Sequence, residues 1–563
     1  MSRRRLVALV APVVAAAMVL TACGGGSSDG QKLKGADQQQ QGLSDINAVD
    51  VAKLKDGGEF KWPIDNMPDN WNYNEVDGTV ADGARMINAM FPLMFTQNAD
   101  ASLKLNKDYL DSADLTSKDP EVVTYKINPK AKWSDGTPIT WEDFQAQATA
   151  LSGKDKAYQV SSTTGYEDID KVEKGASPQE VKVTFKKKFA EWTSLFSPLY
   201  PKSLNATADE FNKGWVDKPK VTAGAFKIGT IDLTGKLVTI ERDPSWWGDK
   251  AKLDKITFRV IERKALADSL ANGAIDWYDI GSSVDNYTRA KQMQDISIRQ
   301  AVTPDYTHMT FNGAPTSVLA DPKLRLAVMQ GLDTATIAKA LLGQITPDPK
   351  TLGNHIFLIG AKEYKDNSSV AKFDAAAANK ALDDLGWKKE GDFRKKDGKD
   401  LKLRYIITAG NNISQQISQL SQTQLKAIGV NLDIVTVPAA DFWKSYVNVG
   451  NFDITGFRWL SNSWPISSGK SIYYLDKDNV AQNYGRVGND TINGLFDKAN
   501  AELDDSKRAE IANQLDTEIW KAGHQLPIYQ APGAVAVRKT IANFGAVGYA
   551  NNPYDYTKIG FTS

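Results

Sequence analysis

The chain has 563 residues, with 68 basic and 68 acidic side chains, three histidines and one cysteine. This length is too great for one hydrophobic core, so we expect at least two lobes. The zero formal net charge gives no electrostatic footprint for nucleic acid, and one cysteine with three scattered histidines excludes a disulfide framework and leaves little for a zinc site.

The first 22 residues have the pattern of a secretory signal. Three arginines, Arg3–Arg5, precede an uncharged stretch, Leu6–Ala22, which is at the short limit for spanning a bilayer. The stretch ends in Leu20-Thr21-Ala22-Cys23, which resembles the bacterial lipobox. That resemblance implies that residues 1–22 are removed and that Cys23 is lipidated, which would hold the protein at the extracytoplasmic face of the cell membrane.

A polar segment follows the cysteine, and we expect residues 23–56 to form a flexible tether because they contain few apolar side chains. Removal of residues 1–22 takes away three arginines and no acid, so the exported chain carries 65 basic and 68 acidic groups and a net charge of −3. No other long apolar run occurs, so the body is expected to lie outside the membrane.

The body alternates between strand and helix patterns. Two of these strands, Leu401–Ile407 and Val430–Val437, flank an apolar helical stripe from Ile413 to Ile428 that ends at Gly429, and together they predict a βαβ unit. Thr140 and Asp143 predict a capping box, and Asp321 before Pro322 predicts a helix start. The remaining predicted strands are Val122–Ile127, Val181–Phe185, Leu237–Ile240 and Ile256–Ile261.

Catalytic and metal-binding patterns are missing from the sequence. His308, His355 and His524 share no metal-ligand spacing, and we expect them to be structural. Paired acids lie in helical patterns, where neighbours point in different directions, and no nucleophile elbow, P-loop or dinucleotide fingerprint occurs. The sequence therefore predicts a protein that is not an enzyme and needs no metal or cofactor.

Aromatic residues are the positive signal. Trp62–Asn72 follows the first predicted strand, and Gly456–Pro465 follows a predicted strand at Phe452–Thr455. Loops that leave strand ends are where open α/β proteins place ligands. Tryptophan beside asparagine supplies stacking faces and hydrogen bonds without formal charge, although any one of these rings could equally cement the lobes.

Several segments, in order, resemble the extracellular solute-binding proteins of the peptide and nickel class, family 5, which serve ABC importers. The resemblance runs from about Gly57 to the C-terminus and is strong because the motifs occur in the family's order. The segments are Tyr125–Phe144, Gly224–Ile228, Glu241–Gly248, Asn272–Asp276, Phe311–Asn312, Leu324–Ala327, Leu425–Leu432 and Gln525–Tyr529.

The resemblance implies an α/β fold of the periplasmic-binding-protein-like type II (class C) kind, with two lobes, a hinge and an extra inserted domain. Residues 57–92, 195–310 and 515–563 would form lobe I, residues 93–194 the inserted domain, and residues 311–514 the distal lobe. A small solute would be enclosed between closing lobes and passed to the permease subunits of the membrane, with the protein acting as a monomer.

Nine residues are the expected ligand contacts: Asn70, Trp71, Asn72, Tyr166, Asn312, Trp459, Asn462, Trp464 and Tyr484. In peptide-binding members of the family, an aspartate three residues after a tryptophan pairs with the ammonium of the peptide. Here Trp459 is followed by Asn462, which supplies no anion. A peptide remains the family default, an uncharged sugar or oligosaccharide is a close alternative, and a regulatory or scaffold lipoprotein of the cell envelope is a third.

Overall fold

The structure is a computed structural model that describes residues 43–301, 303–476, 480–551 and 554–562. The signal segment and Cys23 lie outside these residues. Its strands are β1 (Glu59–Ile64), β2 (Phe95–Gln97), β3 (Leu103–Leu105), β4 (Leu110–Lys118), β5 (Glu121–Ile127), β6 (Ile169–Lys174), β7 (Glu180–Phe185), β8 (Phe226–Asp232), β9 (Leu237–Arg242), β10 (Lys255–Val260), β11 (Trp277–Asp279), β12 (Ile296–Gln300), β13 (Asp305–Phe311), β14 (Lys388–Glu390), β15 (Phe393–Lys396), β16 (Lys399–Asp400), β17 (Lys402–Thr408), β18 (Asn431–Val437), β19 (Ile454–Leu460), β20 (Gln525–Gln530), β21 (Ala534–Arg538), β22 (Ile541–Ala542) and β23 (Gly560–Phe561).

Helices separate these strands. The α-helices are α1 (Ala81–Met90), α2 (Trp141–Leu151), α3 (Lys202–Asn205), α4 (Ala208–Lys213), α5 (Leu266–Ala271), α6 (Val284–Gln292), α7 (Pro322–Gln330), α8 (Thr334–Leu342), α9 (Ala375–Asp384), α10 (Asn412–Ala427), α11 (Ala439–Asp441), α12 (Pro465–Tyr473), α13 (Asp490–Ala501) and α14 (Asp505–Ala522). A π-helical turn, Phe442–Val447, follows α11 directly. In the described part of the chain, no helix is long and apolar enough to cross a membrane.

Lobe I is built on two sheets, with strand orders β1-β10-β9-β8 and β11-β21-β12. Apolar side chains of β1 and β11 meet rings from the C-terminal segment, so that Trp62 packs edge-on against Trp277 and Phe544 at 5.0 and 5.1 Å between ring centroids. The C-terminal segment and the N-terminal strand β1 therefore pack in the same hydrophobic core. The inserted domain has its own four-stranded sheet, β4-β5-β7-β6, covered by α2.

The distal lobe has a five-stranded sheet in the order β18-β17-β19-β13-β20. β17 and β18 pair in parallel, and α10 connects them and packs on both. This confirms the predicted βαβ unit. The side chain of Asn411 accepts a hydrogen bond from the backbone N–H of Ser414 at the start of α10, and Gly429 has a φ of 80° just after its end, as expected of a C′ glycine.

The other local predictions hold in the same way. Thr140 and Asp143 form a capping box on α2, in which each side chain accepts a hydrogen bond from the other residue's backbone N–H. Asp321 caps α7 and Pro322 is its first residue. These features depend on neighbours in sequence only, and each satisfies N–H groups that a helix end leaves unpaired.

The chain passes between lobe I and the distal lobe at two neighbouring points, between β12 and β13 and between β20 and β21. β13 and β20 both belong to the distal sheet, so this sheet takes strands from either side of the predicted boundaries at 311 and 514. α14 also packs with α13 in a distal core. The distal sheet thus takes strands from residue 305 to residue 530, because pairing between strands rather than sequence position sets its membership.

Part of the predicted tether is packed. Asp45 forms an isolated bridge with Ala546, and the side chains of Asn47 and Asn543 bond to the backbone of Ile541 and Val49. Residues 43–56 therefore lie against the C-terminal segment, so the described end of this stretch belongs to the folded body. A tether in the predicted sense is limited to residues before 43, which lie outside the described residues.

Candidate ligand-binding site

One strand of the distal sheet has a partly open edge close to lobe I. β19 pairs with β13 along its whole length, from Ile454 to Leu460, but its pairing with β17 covers only Ile454 and Thr455. Among the described strands, Phe457–Leu460 therefore have a partner on one side only. The backbone N–H and C=O groups that point away from β13 can pair with another extended chain, which is how β-strand addition works.

This edge was expected to be a loop. The predicted strand ended at Thr455, whereas the observed strand continues to Leu460. The difference has a clear cause, since β13 supplies a seven-residue antiparallel partner from a distant part of the chain. Long-range pairing of this kind leaves no local signal in the sequence.

Four rings cover one face of this strand and its surroundings, and we call them the aromatic shelf: Trp443, Phe457, Trp459 and Tyr484. Trp459 lies parallel to Tyr484 with centroids 6.1 Å apart and meets Phe457 edge-on at 5.1 Å. Trp443 is 42% exposed. The Nε1 atom of Trp459 is buried and has no hydrogen-bond partner among the described residues. The shelf thus combines apolar area with an unused donor.

The opposite face of β19 carries charge. Arg458 lies 3.4 Å from Asp279, at the end of β11 in lobe I, and 3.8 Å from Asp305, at the start of β13. Partial burial would lower the pKa of Arg458, whose side chain is 37% exposed, but the two carboxylates outweigh this effect and raise the pKa above its ordinary value. Burial in turn raises the pKa of Asp305, although Arg458 opposes this shift. An ion pair therefore spans the two lobes beneath the strand edge.

The segment after β19 contacts the inserted domain. The side-chain oxygen of Asn462 accepts hydrogen bonds from the Trp464 backbone N–H at 2.8 Å and from Ser468 Oγ at 3.4 Å. Trp464 donates from Nε1 to Oγ1 of Thr193, in the inserted domain, at 2.8 Å. Asn462 therefore shapes the loop, and Trp464 ties that loop to another domain.

Three of the expected contacts, Asn70, Trp71 and Asn72, are buried parts of a turn. Nδ2 of Asn70 donates to Glu75 Oε2, and Nδ2 of Asn72 donates to the carbonyl of Phe211. Trp71 is 2% exposed. The side chains of these residues hold the turn against lobe I, and they do not lie at the strand edge.

Tyr166 and Asn312 are likewise occupied. The Tyr166 hydroxyl accepts hydrogen bonds from the Phe196 N–H and from Gln147 Nε2, and burial raises its pKa to about 12. Nδ2 of Asn312 donates to the carbonyls of Gly450 and Phe452. Of the nine expected contacts, the structure therefore pairs Trp459 with Tyr484 and Asn462 with Trp464, and Trp443 and Phe457 join the first pair.

The three histidines, distant in sequence, are close together in space and buried. His355 Nδ1 lies 2.7 Å from Asp516 Oδ1, and the ring of Tyr473 touches both His355 and His524. Burial, aided by the nearby His355, lowers the pKa of His308 to about 3 and that of His524 well below its ordinary value. Across the described residues, no group of three or more His, Cys, Asp or Glu side chains is arranged to hold a metal ion.

Comparison with known proteins shows the family of this chain. Residues 104–483 match the family described as bacterial extracellular solute-binding proteins, family 5, middle region. The chain belongs to this family. The family 5 protein is 41% identical over 559 residues to the oligopeptide-binding protein OppA of Mycobacterium tuberculosis, a match that covers 98% of this chain and 93% of the relative. It is also 24% identical to the oligopeptide-binding protein OppA of Lactococcus lactis over 87% of both chains.

Solved structures give the same fold. The periplasmic EDTA-binding protein EppA superposes with a TM-score of 0.84 at 26% identity, covering 92% of this chain and 99% of the other. The oligopeptide-binding protein AppA of Bacillus subtilis, solved with a nonapeptide, superposes with a TM-score of 0.78 at 20% identity, covering 91% and 100%. The expected type II two-lobe fold is confirmed, and the family 5 protein belongs to a group of solute binders rather than of enzymes.

Proposed function

We propose that this family 5 protein is the substrate-binding component of an ABC importer and that it captures oligopeptides in extended form between its lobes. The open edge of β19 at Phe457–Leu460 is the observation that carries the proposal. The name and near-complete coverage of the 41% identical mycobacterial relative support a peptide ligand.

An extended peptide suits this edge on physical grounds. Side chains along a strand alternate between two faces, so an added strand directs successive residues toward the aromatic shelf and toward Arg458. Backbone hydrogen bonds to the strand do not depend on the peptide's sequence, while the two faces provide the selectivity. An oligopeptide binder needs this combination because its ligands share a backbone and differ in side chains.

Capture follows from the two chain crossings. A solute that touches both lobes binds the closed arrangement more strongly than an open one, and this difference in affinity drives closure. The permease subunits then receive the closed form. We further propose that Cys23 is the lipidated residue, that residues 23–42 act as the tether, and that the protein works as a monomer at the outer face of the membrane.

A calorimetric and thermal-shift series tests the ligand class. Peptides of four to eight residues should raise the melting temperature of the protein, because a ligand at one hundred times its Kd stabilises the native state by about 2.7 kcal/mol. N-methylation of the peptide backbone, one residue at a time, should weaken binding most strongly at every second position. A uniform loss, or none, would contradict strand addition at β19.

An uncharged oligosaccharide is the second candidate, and a specific observation favours it. Asn462 stands where the peptide-binding pattern has an aspartate, and aromatic rings beside an amide suit a sugar. Disaccharides and oligosaccharides therefore form the second arm of the same series. Stabilisation by sugars and not by peptides would show that the importer component binds oligosaccharides. A melting temperature that no solute changes would favour a scaffold role.

A further inference from the structure

A carboxylate of the inserted domain is buried against the distal lobe. Glu191 is 6% exposed. One of its oxygens accepts from the N–H of Ser467 at 2.7 Å and the other from the N–H of Ile466 at 3.2 Å, both in the first turn of α12. These are N–H groups that the helix itself leaves unpaired, and the positive end of the helix dipole adds to their attraction for an anion.

Further contacts join the same two bodies beside Glu191. The N–H of Ala190 donates to the carbonyl of Asn500, at the C-terminal end of α13, at 2.6 Å. Trp464 donates to Thr193, as described above. The short segment 190–193 of the inserted domain thus makes three separate hydrogen-bonded contacts with the distal lobe.

Burial of the Glu191 carboxylate is costly, so the contact between Glu191 and α12 depends on well-placed hydrogen-bond donors. Burial raises the pKa of Glu191, and hydrogen bonds from Ser467 and Ile466 act in the opposite direction, helped by the more distant charge of Arg508. A carboxylate loses its hydration when it enters such an interface and recovers part of that loss only through well-placed donors. Separation of the two bodies would return both Glu191 and the end of α12 to water.

The place of α12 in the chain connects this contact to the ligand edge. β19 ends at Leu460 and α12 begins at Pro465, so only four residues separate them. Asn462 lies in this short link, and its side-chain oxygen bonds to the Trp464 N–H and to Ser468 of α12. A peptide that pairs with β19 therefore restrains the segment from β19 to α12, and the start of α12 is where Glu191 binds.

We propose that Glu191 is a latch: by capping α12 it holds the inserted domain on the distal lobe while a solute lies on β19, and its release sets the rate at which the solute leaves. The inference rests on the proposed function for its kinetic readout only. The closing contact itself is independent of the ligand class.

Two variants test the latch from the inserted domain. Glu191→Ala removes both acceptors, and Thr193→Val removes the acceptor for Trp464 while preserving the shape of the side chain. Glu173→Ala is the matched control, because Glu173 is an exposed glutamate of the same domain that pairs only with Lys171 among the ion pairs of the described residues. Retained circular dichroism and cooperative melting show that each variant folds.

Spin labels report the interlobe distance directly. With Cys23→Ser in the full chain, labels at Lys154→Cys and Glu510→Cys sit on exposed positions of the inserted domain and of α14. We expect Glu191→Ala to move the distance distribution to longer values and to speed the release of a bound hexapeptide about 10- to 100-fold, as for a lost charge-assisted hydrogen-bonded contact. Thr193→Val should speed release a few-fold, and the control should match the wild type.

The outcomes are distinguishable. An unchanged distance distribution in both Glu191→Ala and Thr193→Val, with wild-type release rates, overturns the latch. If no peptide binds the wild-type protein, the proposed function fails, but the distance comparison needs no solute and still decides whether Glu191 holds the two bodies together.

Discussion

The substitution Asn462→Asp separates free-amino peptides from other solutes. Asparagine and aspartate have nearly the same shape, and Asn462 uses its side-chain oxygen to accept from the Trp464 N–H at 2.8 Å and from Ser468 Oγ at 3.4 Å. An aspartate oxygen accepts both bonds equally well. The variant therefore adds one negative charge without disturbing the loop.

The expected magnitudes follow from this position. The new charge lies at the start of α12, where an anion contributes about 0.3–1 kcal/mol, but the Glu191 carboxylate on the same helix end opposes this gain, so the free energy of unfolding should change little. A peptide ammonium that reaches the carboxylate gains a charge-assisted hydrogen bond, which is about 1.5–3 kcal/mol for a buried pair. Because Asn462 is half-buried, solvent screens the new charge, and we expect the gain in binding free energy to correspond to roughly one factor of ten in Kd.

Isothermal titration calorimetry provides the assay, with one peptide in free-amino and N-acetylated forms. Asn462→Asp should tighten the Kd of the free-amino form about tenfold and leave that of the acetylated form unchanged. Asn489→Asp is the control, since Asn489 accepts from the Ile492 N–H at the start of α13, in a comparable helix-capping role. Equal effects on both peptides, or the same gain in the control, would refute the placement of the peptide's amino end at Asn462.

Three further predictions concern the shelf and two buried titratable groups. Trp459→Ala removes ring contacts with Phe457 and Tyr484, so urea unfolding should show a loss of about 2–3 kcal/mol and calorimetry a weaker peptide affinity, whereas full affinity would exclude Trp459 from the site. Burial raises the pKa of Glu121 to about 7 from 4.5, so the folded state holds this proton more tightly than the unfolded state. The free energy of unfolding should therefore fall as pH rises from 4.5 to 7, and unfolding curves of Glu121→Gln should show a decrease smaller by about 3 kcal/mol. Burial lowers the pKa of His308 to about 3 from 6.5 and lowers that of His524 as well. Each histidine should therefore reduce the free energy of unfolding by about 1.4 kcal/mol per pH unit below 6.5, and a His308→Gln variant with the same total slope as the wild type would contradict the contribution of His308.

Local patterns in the sequence account for a definite part of this protein. The capping box at Thr140, the Asp321-Pro322 start of α7 and the end of α10 at Gly429 were all predictable, because each depends on groups a few residues apart. The βαβ unit around α10 was predictable for the same reason, since its hydrophobic periods and turn residues lie within one continuous segment. The ordered family motifs then extended these local signals to the whole two-lobe fold.

The structure places some of the predicted site residues away from the strand edge, and the reason is physical. Asn70 and Asn72 have the composition of a polar binding loop, but their amides bond to Glu75 and to the carbonyl of Phe211 within lobe I. Sequence alone does not reveal whether an amide is already paired. Trp443 lies in a π-helical turn without apolar periodicity, so only the fold shows that its ring contacts Phe457 and Tyr484.

The sequence by itself determined the class of the chain and its local helix and strand starts, because these depend on residues close to one another. The tertiary structure decided the rest: the open edge of β19, the grouping of three histidines, and Glu191 on the end of α12. Each of these joins segments that are far apart along the chain, in the latch by 276 residues. Such contacts depend on strand register and lobe packing, which the whole chain sets together.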